Sequence, residues 1–178
     1  NAKIIVKTSL QPAAAEIRAG QSIELLKELH ILTREGKLNQ DTRRKLKQVY
    51  HLYGFIEKLM LEICQSGKPF SLADHGAGKS YLGFILYDLF FNDQRPVATN
   101  ALRKGHIYGI ETRSDLVQKS QELAERLGFN NMSFINLTVA QASHVNAIPD
   151  HIDIVTALHA CDTATDDAID FGLKKTAK

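Results

Sequence analysis

The sequence predicts an α/β fold built on a doubly wound parallel sheet, with a helical appendage in front of it. From residue 70 onward, short apolar runs alternate with stretches of helical periodicity, an order typical of parallel strands joined by crossover helices. Between residues 22 and 65, apolar residues recur only at helical spacing. We therefore expect an N-terminal helical region over residues 1–67 and the sheet domain over residues 68–178, separated by the helix-breaking segment Gly67-Lys68-Pro69.

The composition is that of an ordinary globular protein. The 178 residues are 44% hydrophobic and 24% charged, and a net charge of +2 makes no overall case for nucleic acid. Two cysteines argue against a disulfide framework, and no apolar run suits a bilayer or a signal peptide, so we expect a cytoplasmic protein. The first methionine is Met60, which suggests a segment of a longer protein.

The N-terminal region is expected to hold two helices. The first starts at the cap Ser22 and ends by Gly36, and the second runs from about Asn39 to Gln65. Ahead of them, residues 3–10 could form an edge strand or an ordered tail. Six basic residues cluster around the start of the second helix: Arg34, Lys37, Arg43, Arg44, Lys45 and Lys47. They could contact RNA phosphates, or they could simply solvate a helix face.

The sheet domain is expected to hold four strands with helices between them. The strands are Phe70–Asp74, His106–Glu111, Met132–Leu137 and Asp153–Leu158. A buried helix follows from Tyr81, and a long loop spans residues 92–105. Capping boxes, Thr112 with Asp115 and Thr163 with Asp166, predict the starts of two further helices, which end at Gly128 and near Lys174.

The turn after the first strand is the candidate ligand site. Gly76 and Gly78 can take positive φ and let the backbone approach a ligand, and Asp74 ends the strand at the edge where such sheets bind ligands. Gly78-Lys79-Ser80 also resembles the tail of a phosphate-binding loop. That motif needs a glycine where Ala73 stands, and Asp74 would repel a triphosphate, so the NTPase interpretation is disfavoured.

A dinucleotide site is disfavoured as well. It needs a third glycine near Ser80 and an acid about 20 residues further on, whereas Glu111 lies 33 residues past Gly78. An acid, a two-glycine turn and a second acid suit a nucleoside with an amine-bearing tail. Glu111 could accept hydrogen bonds from both ribose hydroxyls, and Asp74 could face a cation or organise the turn through backbone N–H groups.

These residues resemble a known family. Asp74-His-Gly-Ala-Gly-Lys-Ser80 resembles motif I of class I S-adenosylmethionine-dependent methyltransferases, and the strand ending at Glu111 resembles their ribose-binding motif. The resemblance covers Phe70 to the C-terminus and implies a Rossmann-like sheet with S-adenosylmethionine as cofactor. The cofactor contacts that it implies are Asp74, His75, Gly76, Gly78 and Glu111. His75 could touch the cofactor or face solvent.

A second string narrows the resemblance. Residues 157–166, Ala-Leu-His-Ala-Cys-Asp-Thr-Ala-Thr-Asp, are similar to a signature in methyltransferase-like proteins related to RNA methylases. In that fold the segment faces the methyl group, which implies His159 as a general base and gives Asp162 either a direct role or a capping role. Cys161 could be a nucleophile or a small buried hydrophobe. We expect no metal site.

The leading hypothesis is a methyltransferase with RNA as the favoured substrate. The alternatives are a non-catalytic module that binds a nucleoside or a protein, and, less favoured, a phosphate-loop NTPase. The resembling fold has seven strands and a Pro-Cys-Cys segment after the fifth, whereas four strands are visible here. We therefore expect a sheet that is incomplete at the C-terminus, through truncation or reliance on a partner, and a truncated chain could be inactive.

Overall fold

The computed structural model of the protein describes residues 15–92, 103–137, 147–158 and 162–175. Within them lies one parallel sheet of four strands in the order β3-β2-β1-β4. The strands are β1 (Phe70–His75), β2 (Gly105–Glu111), β3 (Met132–Asn136) and β4 (Ile154–Thr156). The helices are α1 (Ile23–Glu28), α2 (Gln40–Gln65), α3 (Tyr81–Phe91), α4 (Ser114–Leu127) and α5 (Asp162–Lys174). The predictions for residues 3–10 and for most of the long loop lie outside the described residues.

The sheet has helices on both faces, which confirms the predicted α/β class. On one face, Phe70 and Leu72 of β1 join a core shared with α1, α2, α3 and α4. On the other face, Ala73 of β1 packs in a smaller cluster with Phe171 of α5. This division follows from the strand geometry, because successive side chains of β1 point to opposite faces. The order of the strands in the sheet places β1 inside it, between β2 and β4.

Helix α1 is shorter than the sequence predicts. Ser22 caps it as expected, through its Oγ and the Leu25 N–H at 3.2 Å. The helix then ends at Glu28 rather than near Gly36, because His30 adopts a left-handed φ of 55°. The N–H groups of Ile31 and Leu32 both donate to the Leu26 carbonyl, at 2.9 and 3.0 Å. These bonds turn the chain while keeping Ile31 and Leu32 buried in the core.

Helix α2 has the predicted extent. Asn39 caps it, and its side chain and that of Thr42 form a reciprocal capping box. Leu46, Val49 and Tyr53 lie on its buried face. A long helix is stable here because this apolar side packs against α3 and β1.

Two predicted helix starts are wrong in detail. Helix α4 has Arg113 at its N-cap with no side-chain cap, and the Thr112 hydroxyl donates to Glu111 at 3.4 Å instead of capping. Helix α5 begins at Asp162, so Thr163 lies within the helix rather than ahead of it. The competing acceptor explains the first case, because the carboxylate that ends β2 lies next to Thr112. The predicted end at Gly128 is confirmed, with a φ of 69°.

Candidate functional site

Two buried acids meet at the carboxyl edge of the sheet. Asp74 lies near the end of β1 and Glu111 ends β2, and these strands are neighbours in parallel register, with Asp74 opposite Gly109. Both acids are almost inaccessible to solvent, with exposed fractions of 4% and 6%. Parallel pairing therefore brings together two side chains that are far apart in the sequence, as the strand assignments predicted.

Glu111 holds the glycine turn in place. The Gly78 N–H donates to Glu111 Oε2 at 2.7 Å. Arg113 donates to the same carboxylate through its Nε at 2.9 Å and its backbone N–H at 3.2 Å. Burial opposes ionisation of Glu111, but the hydrogen bonds from Arg113 and Gly78 outweigh it and hold the pKa of the carboxyl below its usual value. Glu111 is therefore an ionised acceptor, largely filled by these donors.

Asp74 is held differently. Thr156, at the end of β4, donates its hydroxyl to Asp74 Oδ1 at 2.7 Å. Burial raises the pKa of Asp74 to about 7, against the effect of the Thr156 hydrogen bond and with help from the nearby charge of Glu111. The site therefore pairs an acid whose ionised form is favoured, Glu111, with one whose protonated form is favoured by burial, Asp74. The suggested role of Asp74 in binding the N–H groups of the turn is wrong for Gly78, whose N–H goes to Glu111.

The two glycines of the turn both take the predicted left-handed conformation. The φ angles are 63° at Gly76 and 59° at Gly78, which other residues adopt only at a cost. A Cβ built on Gly76 would meet no atom of the described residues within 4 Å, so those residues leave the space beside the turn open. Ser80 also has a positive φ, 58°, where related motifs carry glycine. It is buried and accepts a hydrogen bond from the Ser120 hydroxyl at 3.3 Å, so it does not face a ligand at the turn.

His75 is buried on the opposite face of the sheet. Its side chain is 1% exposed and its ring packs edge-on against Phe171 of α5, with ring centroids 4.2 Å apart. Neither ring nitrogen has a hydrogen-bond partner among the described residues, and burial lowers the pKa of the imidazole to about 4. The suggestion that His75 faces solvent is therefore wrong. A direct cofactor contact through this side chain stays a prediction, and the Phe171 packing gives it no support.

Most of the segment that holds the proposed catalytic residues lies outside the described part of the chain. His159 and Cys161 lie outside the described residues, and Asp162 is the first residue of α5. Two site residues were missed by sequence analysis: Thr156, which holds Asp74, and Arg113, which holds Glu111. The only signal for either was position, because each lies at or just after the end of a predicted strand.

The basic cluster near α2 divides into two groups. Arg43 pairs with Glu16 and Lys45 pairs with Asp41, each at 2.8 Å. The remaining four side chains are exposed: Arg34, Lys37, Arg44 and Lys47. Two of the six cations are thus engaged within the protein, which reduces the predicted phosphate-binding patch to the other four.

A separate cavity of about 480 Å³ lies between α1, α3 and α4. Lys79, Tyr81 and Lys119 are among its lining residues, whereas Asp74, His75 and Glu111 are not. Within the described parts of the chain, no cluster of three or more His, Cys, Asp or Glu side chains is arranged to hold a metal ion. None of the helices in those parts is long and apolar enough to cross a membrane.

Residues 44–178 match the family model described as a methyltransferase domain. The chain belongs to this family. The match begins inside α2 and includes the glycine turn, both buried acids and residues 157–166. No curated protein sequence matches the chain significantly.

Solved structures of methyltransferases resemble this member of the methyltransferase domain family. An rRNA methylase from Streptococcus thermophilus has a TM-score of 0.43 at 13% identity, over 65% of this chain and 59% of that one. A SAM-dependent methyltransferase from Aquifex aeolicus has a TM-score of 0.39 at 17% identity, over 61% and 51%. Magnesium protoporphyrin IX methyltransferase from Synechocystis, solved with bound SAM, has a TM-score of 0.45 at 13% identity, over 87% and 72%. The chain thus spans between half and three fifths of the first two structures.

Proposed function

We propose that the chain carries the S-adenosylmethionine site of a methyltransferase, with RNA as the acceptor. One observation carries the proposal beyond family membership: Glu111 ends β2 and holds the N–H of Gly78 in the turn that follows β1. This contact puts a carboxylate beside a glycine turn that the described residues leave open at Gly76, at the edge where parallel sheets bind nucleosides. An ionised carboxylate there is a strong acceptor for ribose hydroxyls.

The cofactor would be held by the two acids and the turn. Glu111 would accept hydrogen bonds from the ribose hydroxyls, and the exposed Arg113 side chain would have to yield part of the carboxylate to them. Asp74 has Thr156 as its hydrogen-bond donor within the described residues, so its carboxyl keeps unused acceptor sites for a cationic tail. Gly76, whose Cβ position has no described atom within 4 Å, leaves room for close backbone approach.

When bound, the cofactor would supply an electrophilic methyl group. The protein's tasks are then to align an acceptor with that group and to take a proton if the acceptor carries one. We assign proton acceptance to His159 or Asp162, because their segment follows β4, whose last residue, Thr156, contacts Asp74. An imidazole suits this task because it titrates near neutrality.

RNA is favoured as the acceptor because four cations stay exposed at the N-terminal end of α2 and ahead of it: Arg34, Lys37, Arg44 and Lys47. Positively charged faces bind nucleic acid backbones without reading sequence. The resemblance of residues 157–166 to RNA-methylase-related proteins points the same way.

Calorimetric titration with S-adenosylmethionine tests the cofactor site. We expect binding to the wild-type chain and its loss in Glu111→Ala and in Asp74→Ala, because each change removes an anchoring carboxyl. Glu122→Gln, an exposed change on α4, is the matched control and should bind as the wild type does. Unchanged binding in both alanine variants would refute the assignment.

A non-catalytic binding module is the second candidate. Such a module would bind S-adenosylmethionine but would transfer no radiolabelled methyl group from the cofactor to RNA. The His159→Ala variant would then behave as the wild type does in both measurements. ATP retention without any response to S-adenosylmethionine would instead favour the NTPase.

A further inference from the structure

The outward face of α2 combines exposed cations with an exposed aromatic ring. Arg44, Lys47, His51, Phe55 and Lys58 are all exposed, and we call them the α2 stripe. With 3.6 residues per turn, the spacings of three and four place them along one side of the helix. Phe55 is 59% exposed, which is unusual for a large apolar side chain in a region that buries its other apolar residues well.

Phe55 is not part of the core. The buried residues of α2 around it, Tyr53, Ile56 and Met60, point to the other side, toward α3 and β1. Among the described residues, its ring contacts that of His51, edge-on at a centroid separation of 5.1 Å. One face of the Phe55 ring is therefore available to stack on a flat partner.

The stripe is positively charged over most of its length, and Asp41 is the acid beside Arg44 at its N-terminal end. Arg44, Lys47 and Lys58 form no ion pair with any described residue, in contrast to Lys45, which pairs with Asp41. Glu62, one turn beyond Lys58, is the exposed acid that follows on this face. The field along the stripe therefore favours an anionic partner.

The stripe leads toward the proposed methyl-donor site. Helix α2 packs against α3 and β1, and Lys45 near its N-terminal end lies close to Tyr81, the first residue of α3, so this end of α2 lies toward the carboxyl edge of the sheet. At the other end, Cys64 donates to the Lys104 carbonyl just before β2, at the amino edge. From Arg44 to Lys58 the helix rises about 21 Å, at about 1.5 Å per residue.

We propose that the α2 stripe binds single-stranded RNA, with a base stacked on Phe55 and the phosphates on Arg44, Lys47 and Lys58. Cations interleaved with an exposed aromatic ring are what unpaired nucleotides bind, since every base has a face to stack and every linkage a charge. An RNA strand on this track would run to the edge that holds Asp74 and Glu111. The inference rests on the proposed function for the direction in which the RNA strand runs. Binding of RNA by the stripe can be measured without the cofactor.

Fluorescence anisotropy with labelled 12-nucleotide oligo(U) and oligo(A), without cofactor, tests the stripe. We expect Phe55→Leu to weaken binding about 5- to 150-fold, the range for losing one stacked base, and Phe55→Tyr to keep it. Lys58→Ala should lower the slope of log K against log salt by about 0.7, the value for one lost phosphate contact on a single strand. Lys68→Ala, at an exposed lysine beyond the end of α2, is the matched control and should change neither.

Each other outcome decides the matter. Equal binding by the wild type and Phe55→Leu would overturn the proposal, as would binding to a duplex of the same length as tightly as to single strands. No binding to any oligonucleotide would also overturn it and leave the face to a protein partner. If the wild-type chain binds RNA but not S-adenosylmethionine, the proposed function is refuted and RNA binding by the α2 stripe is not.

Discussion

Asp74 and His75 are neighbours on β1 whose side chains lie on opposite sides of the sheet and whose pKa values move in opposite directions. Burial raises the pKa of Asp74 from 3.8 to about 7 and lowers that of His75 from 6.5 to about 4. Both groups are therefore mainly neutral in the folded protein across a pH range in which both are mainly charged when it is unfolded. The pH dependence of stability should reflect this pair.

Asp74 and His75 each make the free energy of unfolding depend on pH. We expect these two pH dependences to cancel between about pH 4 and 6.5. Asp74 has a raised folded pKa, so its contribution is full below pH 3.8 and is lost as the pH rises through about 7. His75 has a lowered folded pKa, so its contribution is present above pH 6.5 and is lost as the pH falls toward 4. Each slope is at most about 1.4 kcal/mol per pH unit, and the two have opposite signs.

Single variants should separate the two slopes. Relative to the wild type, the free energy of unfolding of Asp74→Asn should rise from pH 4.5 to 6.5, because only His75 then responds. That of His75→Leu should fall over the same range. Urea unfolding at three pH values measures both, and profiles parallel to the wild type would contradict the assigned shifts.

His75→Leu should also stabilise the protein at pH 7. Both ring nitrogens are buried without a hydrogen-bond partner in the part of the chain that the structure describes, and replacing such a group by an apolar one of similar size removes a desolvation cost of about 1–3 kcal/mol. His106 on β2 is the control, because its Nε2 is hydrogen-bonded to Ser133 Oγ at 2.7 Å. His106→Leu should not stabilise. A loss of stability in His75→Leu would mean that the imidazole is solvated in solution.

Arg113→Ala is expected to strengthen S-adenosylmethionine binding. The guanidinium occupies the Glu111 carboxylate through Nε at 2.9 Å and is itself largely exposed, so it competes weakly with the ribose hydroxyls. Removing it should raise the affinity about two- to fivefold, the scale of an exposed ion pair. Lys119→Ala on α4, the helix that follows Arg113, should leave the affinity unchanged. Weaker binding of Arg113→Ala in calorimetry would show that Arg113 contacts the cofactor instead.

Two glycine-to-alanine changes should have opposite effects on stability. A Cβ on Gly105 would overlap the ring of Phe70, which is 1% exposed and held edge-on against Phe90 at 5.3 Å. Gly105→Ala should therefore cost about 1–3 kcal/mol. Gly54 lies inside α2 with no described atom within 4 Å of its Cβ position, so Gly54→Ala should stabilise by about 0.5–1 kcal/mol. Chemical denaturation compares the two, and equal effects would contradict the packing at Phe70.

Local patterns were sufficient for the architecture and for the glycine turn. Alternating apolar periods predicted four parallel strands in the right places, and Gly76 and Gly78 predicted a left-handed turn, because these properties depend on neighbouring residues alone. The acids at the ends of β1 and β2 followed from the same reasoning. The division at Gly67 into two regions stays a prediction.

The partners of those acids depend on contacts that no local pattern contains. Thr156 reaches Asp74 across 82 positions of sequence because β4 pairs with β1, and Gly78 reaches Glu111 across 33 because β2 pairs on the other side. The burial of His75 likewise requires Phe171 of α5 to cover it. Spacing along the chain specifies which strands form, whereas strand order in the sheet sets the neighbours of each side chain and hence its hydrogen bonds and pKa.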